Sequence, residues 1–284
     1  MKLGAGTVTW AFKGESLETA LQEIASTGIK YIDLIGMLHG DPDNMTPAIK
    51  KKAQKIIENE SLAIASILAV KPGMNIATVN KSVELSCKDY FKQIIDLCKF
   101  FETKEICFMA GHHEIESDAQ TSWNKAVEFS RWAAEECAKA NVYATYELEW
   151  RTYGLVKSVI EMNQMIEEVA HPNIYANIDI GHAGLVRDNF AEMQKIGAKA
   201  IHLHLNDNDS VIHTNALPGD GTVPIVEYVQ ALIDGGMIEH AEDMGHTIVA
   251  GIEVEDAVGS GEPPLALIEK SKDWILNNIP EVEL

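Results

Sequence analysis

The chain has 284 residues, 46% of them hydrophobic, which is enough for a large core and close to the usual length of one (β/α)8 barrel, about 250 residues. Asp and Glu outnumber Lys and Arg 43 to 23, and the net charge of −20 counts against nucleic acid and anionic membranes, which need a basic footprint. No apolar run reaches the roughly 20 residues that span a bilayer, and MKLGAGTVTW lacks the layout of a secretion signal, so a cytoplasmic protein is expected.

Strand-like and helix-like segments alternate from end to end. Leu3–Trp10 reads as a strand and Ser16–Thr27 as a helix closed by Gly28. Tyr31–Ile35 is a strand. The next helix opens at Thr46 with Pro47 at its first position, where the missing N–H costs nothing. Leu62–Ala69 is a strand, followed by a turn at Lys71-Pro72-Gly73 and a long helix over Val83–Phe101. Glu105–Met109 and Val142–Glu147 are strands, each leading to a helix, Gln120–Lys139 and Leu155–Val169. Ile174–Ile180 and Ala200–Leu205 are strands with a helix over Phe190–Ile196 between them. Val223–Ile233 is a helix ended by Gly235-Gly236, Thr247–Glu253 the eighth strand and Leu265–Asn277 the last helix. Eight such units without a linker predict one domain over residues 1–284, with a parallel sheet closed into a TIM barrel.

The four cysteines, Cys87, Cys98, Cys107 and Cys137, have no CxxC spacing and sit in apolar patterns, so they are expected as small buried hydrophobes. The Lys50-Lys51-Lys52 cluster reads as the solvent face of a helix.

Chemistry concentrates at four strand ends. Glu147 closes ATYE, Asp179 closes NID, His204 lies in IHLHL and Glu253 closes VAGIE. In a parallel barrel the strand ends with reacting groups converge at the C-terminal mouth. A carboxylate at such a place is costly unless paired or metal-bound. Three carboxylates and one imidazole form a hard-to-borderline donor set suited to Mn²⁺ or Mg²⁺, with Co²⁺ or Zn²⁺ as alternatives. Glu255 shares a face with Glu253, and the two remain alternatives, with Glu253 preferred because it ends the apolar run. His202 points the same way as His204 and is free to hydrogen-bond inside the barrel. His182 follows Asp179 past Gly181, so both can face one site. Further candidates for substrate contact are Trp10, for stacking on a sugar ring, and His112, after the fourth strand. Arg151 is expected to pair with a nearby acid.

These motifs resemble the xylose isomerase-like superfamily, which holds sugar isomerases, tagatose/psicose 3-epimerases, inosose dehydratases and endonuclease IV. The matching pieces are Glu147, Asp179-Ile-Gly-His182, His204-Leu-Asn-Asp207, the Pro218-Gly219-Asp-Gly221 turn and Glu253. The resemblance implies one divalent metal held by Glu147, Asp179, His204 and Glu253, with the two glutamates also exchanging protons with the substrate carbon. His182 matches a substrate-binding histidine, and Asp207 and His213 join the candidate substrate-binding set. One departure is plain: the epimerases carry an arginine shortly after the metal histidine, and here Asn206–Ser210 reads Asn-Asp-Asn-Asp-Ser. The segment His202–Asp207 is closer to endonuclease IV, which needs more histidines for three zinc ions than this chain aligns.

The expected function is isomerisation or epimerisation of a sugar by proton abstraction α to a metal-bound carbonyl, through an enediolate. Three alternatives stand beside it. A lyase or dehydratase on a keto-sugar, keto-inositol or oxidised glycoside would use the same site. A phosphodiesterase acting on abasic DNA would need three metals, and a non-catalytic sugar-binding or partner subunit would bind without turnover. A homo-oligomer is the default expectation.

Overall fold

The computed structural model describes residues 1–151, 153–255, 259 and 261–284. Eight parallel strands pair in chain order: β1 Lys2–Gly6, β2 Tyr31–Ile35, β3 Ala63–Leu68, β4 Glu105–Met109, β5 Tyr143–Glu147, β6 Ile174–Asp179, β7 Ala200–Leu205 and β8 Val249–Ile252. β8 pairs with β1 from Lys2↔Val249 to Ala5↔Ile252, which closes the barrel and leaves no free sheet edge. The fold is the expected single (β/α)8 barrel.

Around it run α1 Val8–Phe12, α2 Leu17–Ser26, α3 Pro47–Glu60, α4 Lys81–Phe101, α5 Ala119–Lys139 and α6 Val159–Val169. They are followed by α7 Ile180–Val186, α8 Phe190–Ile196, α9 Ile225–Asp234, α10 Met237–Met244 and α11 Pro264–Asn278. Side-chain caps fix several starts. Ser16, Thr46, Asn80, Asp118 and Ser158 each accept a backbone N–H from the first turn that follows, which satisfies a donor that the helix itself leaves open. None of the described helices is long and apolar enough to cross a membrane.

Strand alternation divides the side chains into two sets. Ala144 and Tyr146 of β5 point outward to the helices, where Tyr146 packs 4.8 Å from the Phe108 ring and its hydroxyl bonds Ser130 of α5. Glu147 points the other way. The inward set is unusually polar for a barrel, with Asp33, Ser66, Glu105, Thr145, Asn177 and His202 all buried. All four cysteines are buried and unpaired, as expected.

Three features depart from the sequence reading. β1 stops at Gly6, and Val8–Phe12 is a helical turn closed by the Ala11 N–H on the Thr7 carbonyl. Residues 180–186 form α7, capped by the Asp179 side chain, where the sixth strand was expected to run through Ile180. A further helix, α10, lies between α9 and β8.

Two outcomes follow. Ile178 is fully buried on the outward face of β6, so Ile178→Ala should lower unfolding stability in urea by about 2–5 kcal/mol; a loss under about 1 kcal/mol would contradict this packing. In the first turn of α4, Glu84 accepts from Lys88 and Lys81, and these bonds hold its carboxyl down from the ordinary 4.5 to about 2. A depressed carboxyl contributes stability that is present above pH 4.5 and lost as pH falls towards 2. Glu84→Gln should therefore lower the melting temperature at pH 7 and leave it unchanged near pH 2; equal losses at both would contradict the pairing.

Candidate metal centre

Four elements deliver one side chain each to the mouth. Glu147 ends β5, Asp179 ends β6, His204 is the penultimate residue of β7, and Glu253 immediately follows β8. One ligand atom from each lies within 4.8 Å of the others, and all four residues are buried. The adjacent strands are in register here, with Asp179 opposite His204 and His204 opposite Gly251. His204 Nδ1 is 2.6 Å from Glu147 Oε1 and 3.2 Å from Glu253 Oε2.

Asp179 is doubly held. Its Oδ1 accepts the His182 N–H at 2.7 Å as the cap of α7, and its Oδ2 accepts from Asn206 Nδ2 at 3.0 Å. Gly181 makes this possible, because a methyl group there would overlap Asn206 Oδ1. Asn177, two residues before Asp179 on the same face, places its amide 3.3 Å from His204 Nε2 and 3.2 Å from the Cys107 sulfur. Asn177 and Asn206 escaped the sequence reading. For Asn177 the same-face spacing with Asp179 was an available signal.

Burial raises the Asp179 carboxyl above its ordinary range, and the Glu253 charge adds to this against His182 and His204. Burial works against a charged His204, but Glu253 and Glu147 outweigh it and raise that imidazole well above its usual value. Three carboxylates thus crowd around one imidazole, and Glu147 Oε2 is buried without a hydrogen-bond partner. An orphaned carboxylate oxygen aimed into a buried acidic cluster fits a divalent cation, which would supply the missing positive charge.

The floor beneath holds a second buried ionisable group, and Asp33, His202 and His204 also bring one ligand atom each within 4.8 Å of one another. His202 Nε2 is 3.2 Å from Asp33 and its Nδ1 is 3.3 Å from Glu105, which His246 meets from the other side at 3.1 Å. Burial disfavours charge on His202, yet Asp33 and Glu105 raise it to about 10. Burial would raise Glu105, but His202 and His246 bring it down to about 2. His202 takes the place inside the barrel that the sequence left open to it.

A cavity of about 200 Å³ opens above the cluster, lined among others by Glu147, Glu253, His182, His213, Trp150 and Phe12. His182 Nδ1 meets the Leu148 carbonyl at 2.7 Å, and its Nε2 faces His213 Nε2 at 2.9 Å. Burial and then the neighbouring His182 push His213 down to about 4, while carboxylates led by Asp179 raise His182 against its burial. Trp150 stacks on His213 at 5.0 Å. Glu255 lines the same cavity outside the four-residue cluster, its carboxyl pushed up to about 7 by burial and by Glu253.

Three sequence candidates lie outside the cavity over the cluster. Trp10 is fully buried on α1 and donates its indole N–H to Glu23 at 2.7 Å, so it presents no face to a sugar. Phe12, one turn edge further and half-exposed, is the aromatic residue of this segment that reaches the cavity. Asp207 is a loop clamp. Its two oxygens accept the backbone N–H groups of Asn208, Gly219, Gly221 and Val223 at 2.8–3.0 Å, which leaves no oxygen for substrate. His112 pairs through its backbone with Gly154 and lines a neighbouring cavity instead. Arg151 does pair with an acid, Glu149.

Comparison with known proteins agrees with this fold. Residues 21–277 match the family model described as xylose isomerase-like TIM barrel. Fructoselysine 3-epimerase of Shigella flexneri is 22% identical over 242 residues, covering 81% of this chain and 86% of that protein. The crystal structure of the IOLI protein with a zinc atom superposes with a TM-score of 0.84 at 14% identity, over 99% of both chains. D-psicose 3-epimerase from Clostridium cellulolyticum H10, solved with D-tagatose, gives 0.80 at 15% identity, over 98% of this chain and 99% of that one.

Because Asn206 fixes one oxygen of Asp179, Asn206→Ala should weaken Mn²⁺ binding about 10–100-fold in calorimetric titration. Affinity within twofold of the parent would show that Asp179 is not a ligand held by Asn206.

Proposed function

The chain belongs to the xylose isomerase-like TIM barrel family, and for this member we propose a divalent-metal-dependent sugar isomerase or epimerase that moves a proton on the carbon next to a carbonyl. The observation that carries this reading is the placement of two glutamates, from β5 and β8, on either side of His204, at 2.6 Å and 3.2 Å from its Nδ1. Glu147, Asp179, His204 and Glu253 are the proposed ligands of one ion, and their oxygen-rich set favours Mn²⁺. That ion would polarise a sugar carbonyl and its neighbouring hydroxyl, which acidifies the C–H between them.

The rest falls to the protein's own side chains. Glu147 and Glu253 serve as proton acceptor and donor, one at each side of the substrate carbon, within the short reach that proton transfer needs. His182, oriented by the Leu148 carbonyl and backed by His213, holds a substrate hydroxyl. Trp150 and Phe12 offer apolar surface to a sugar ring and narrow the access of water. The relatives named as 3-epimerases support the assignment to sugars.

The test is exchange of the α-proton with solvent in D₂O, followed by NMR with a panel of ketoses on Mn²⁺-loaded protein. Exchange and epimer formation are expected, and Glu147→Gln and Glu253→Gln should each slow exchange by about 10²–10⁴-fold, with bound Mn²⁺ measured for each variant. No exchange in any ketose by protein that holds its metal would overturn the reading. An eliminated product would replace epimerisation with lyase chemistry.

A further inference from the structure

Beside the 200 Å³ cavity over the acidic cluster lies a second one, of about 400 Å³. The two share Met37, Val70, Met109, Glu149 and Arg151 as lining, so they adjoin as two lobes of the barrel mouth. The first lobe alone is smaller than the roughly 300 Å³ at which ligand pockets usually begin, and the two together fall well inside that range. A bare ketose placed over the cluster would leave the larger lobe empty.

The lining of the larger lobe defines what it takes. Its apolar lining is Met37, Val70, Met74, Met109 and Ile76 with the half-exposed Tyr153 ring beside them, and Lys71, His112, Glu149 and Arg151 are its polar part. Thioethers and aromatic faces make an adaptable apolar surface. Two cations reach it, and both are already neutralised. Lys71 binds Asp41 at 3.3 Å and Asp43 at 2.5 Å, and Arg151 is paired with Glu149. A phosphate or carboxylate would have to break those pairs, whereas an uncharged apolar group meets the wall as it stands.

We propose that this lobe seats an uncharged apolar substituent of the substrate, so that the chain acts on alkyl- or aryl-substituted ketoses in preference to free ones. The inference rests on the sugar-epimerase reading for the reacting end only. The substituent lies among the loops after β2, β3, β4 and β5, while the reacting carbon sits over the cluster.

The experiment compares D-fructose with 1-O-benzyl-D-fructose and 6-O-benzyl-D-fructose. On the Mn²⁺-loaded protein one of the benzyl ketoses should exchange its α-proton with a kcat/KM at least about tenfold above D-fructose, the effect of about 1.4 kcal/mol of added binding. Met74→Trp, which fills the larger lobe, should bring that ratio to near one. Saturation-transfer NMR without metal reads the lobe independently of turnover: the benzyl protons should be saturated by the parent protein and not by Met74→Trp. Benzyl ketoses no better than D-fructose in the parent, or saturation unchanged by Met74→Trp, would overturn the proposal. Benzyl saturation that Met74→Trp removes, together with no exchange in any ketose, would keep the lobe assignment and remove the epimerase reading instead.

Discussion

Three carboxylates within 4.8 Å of one another, buried at the barrel mouth with a single imidazole among them, set the terms for the rest of the site. Removing each charge from water costs several kcal/mol, and mutual repulsion adds to it. One proton on His204 cannot balance Glu147, Asp179 and Glu253 together. Among the neighbouring groups, His182 Nδ1 lies 3.7 Å from Asp179 and Asn177 and Asn206 contribute amide dipoles, but Glu147 Oε2 has no hydrogen-bond partner among the described residues. In the proposed reading a divalent cation would resolve this arrangement in one step, and it would explain why four different strand ends carry ligand-type residues. Much of the local backbone follows from the same requirement. Gly181 is bare so that Asn206 can reach Asp179, and α7 begins on the Asp179 side chain.

The floor of the barrel holds a second buried acidic pair. Asp33 and Glu105 are as buried as the four residues above them, with His202 between the two and His246 beside Glu105. The two histidines of β7 therefore divide the work, with His202 facing Asp33 and Glu105 and His204 facing the acidic cluster. Their rings meet edge to face at 5.4 Å, so the floor also fixes the height of His204.

The fold was legible because strand alternation and helix caps are local signals. Tyr31–Ile35, Glu105–Met109, Phe190–Ile196 and Ala200–Leu205 have the same bounds in sequence and structure. Two of the short helices were not legible. VTWAF and IGHAGLV are too brief to show a 3.6-residue period, and both follow strands whose apolar patterns run into them. Trp10 was misplaced for that reason, since the helical turn rotates its ring into the core. The convergence of Glu147, Asp179, His204 and Glu253 was readable, because the pleat fixes which side chains face inward. Asp207 was not, because its partners are backbone N–H groups, most of them 12–16 residues further on, and backbone amides leave no mark on a sequence. The larger lobe was equally hidden. Its lining comes from four successive strand ends and the loops after them, and only the closed barrel brings Met37, Met74 and Met109 together.

The most direct measurement is the number of divalent ions bound per chain, by elemental analysis of protein loaded with Mn²⁺ and dialysed, beside the Asp179→Asn variant. The account predicts one ion per chain in the parent and a clear loss in the variant. No retained metal in the parent, or close to three ions per chain, would contradict a single cation as the solution to the buried acidic cluster.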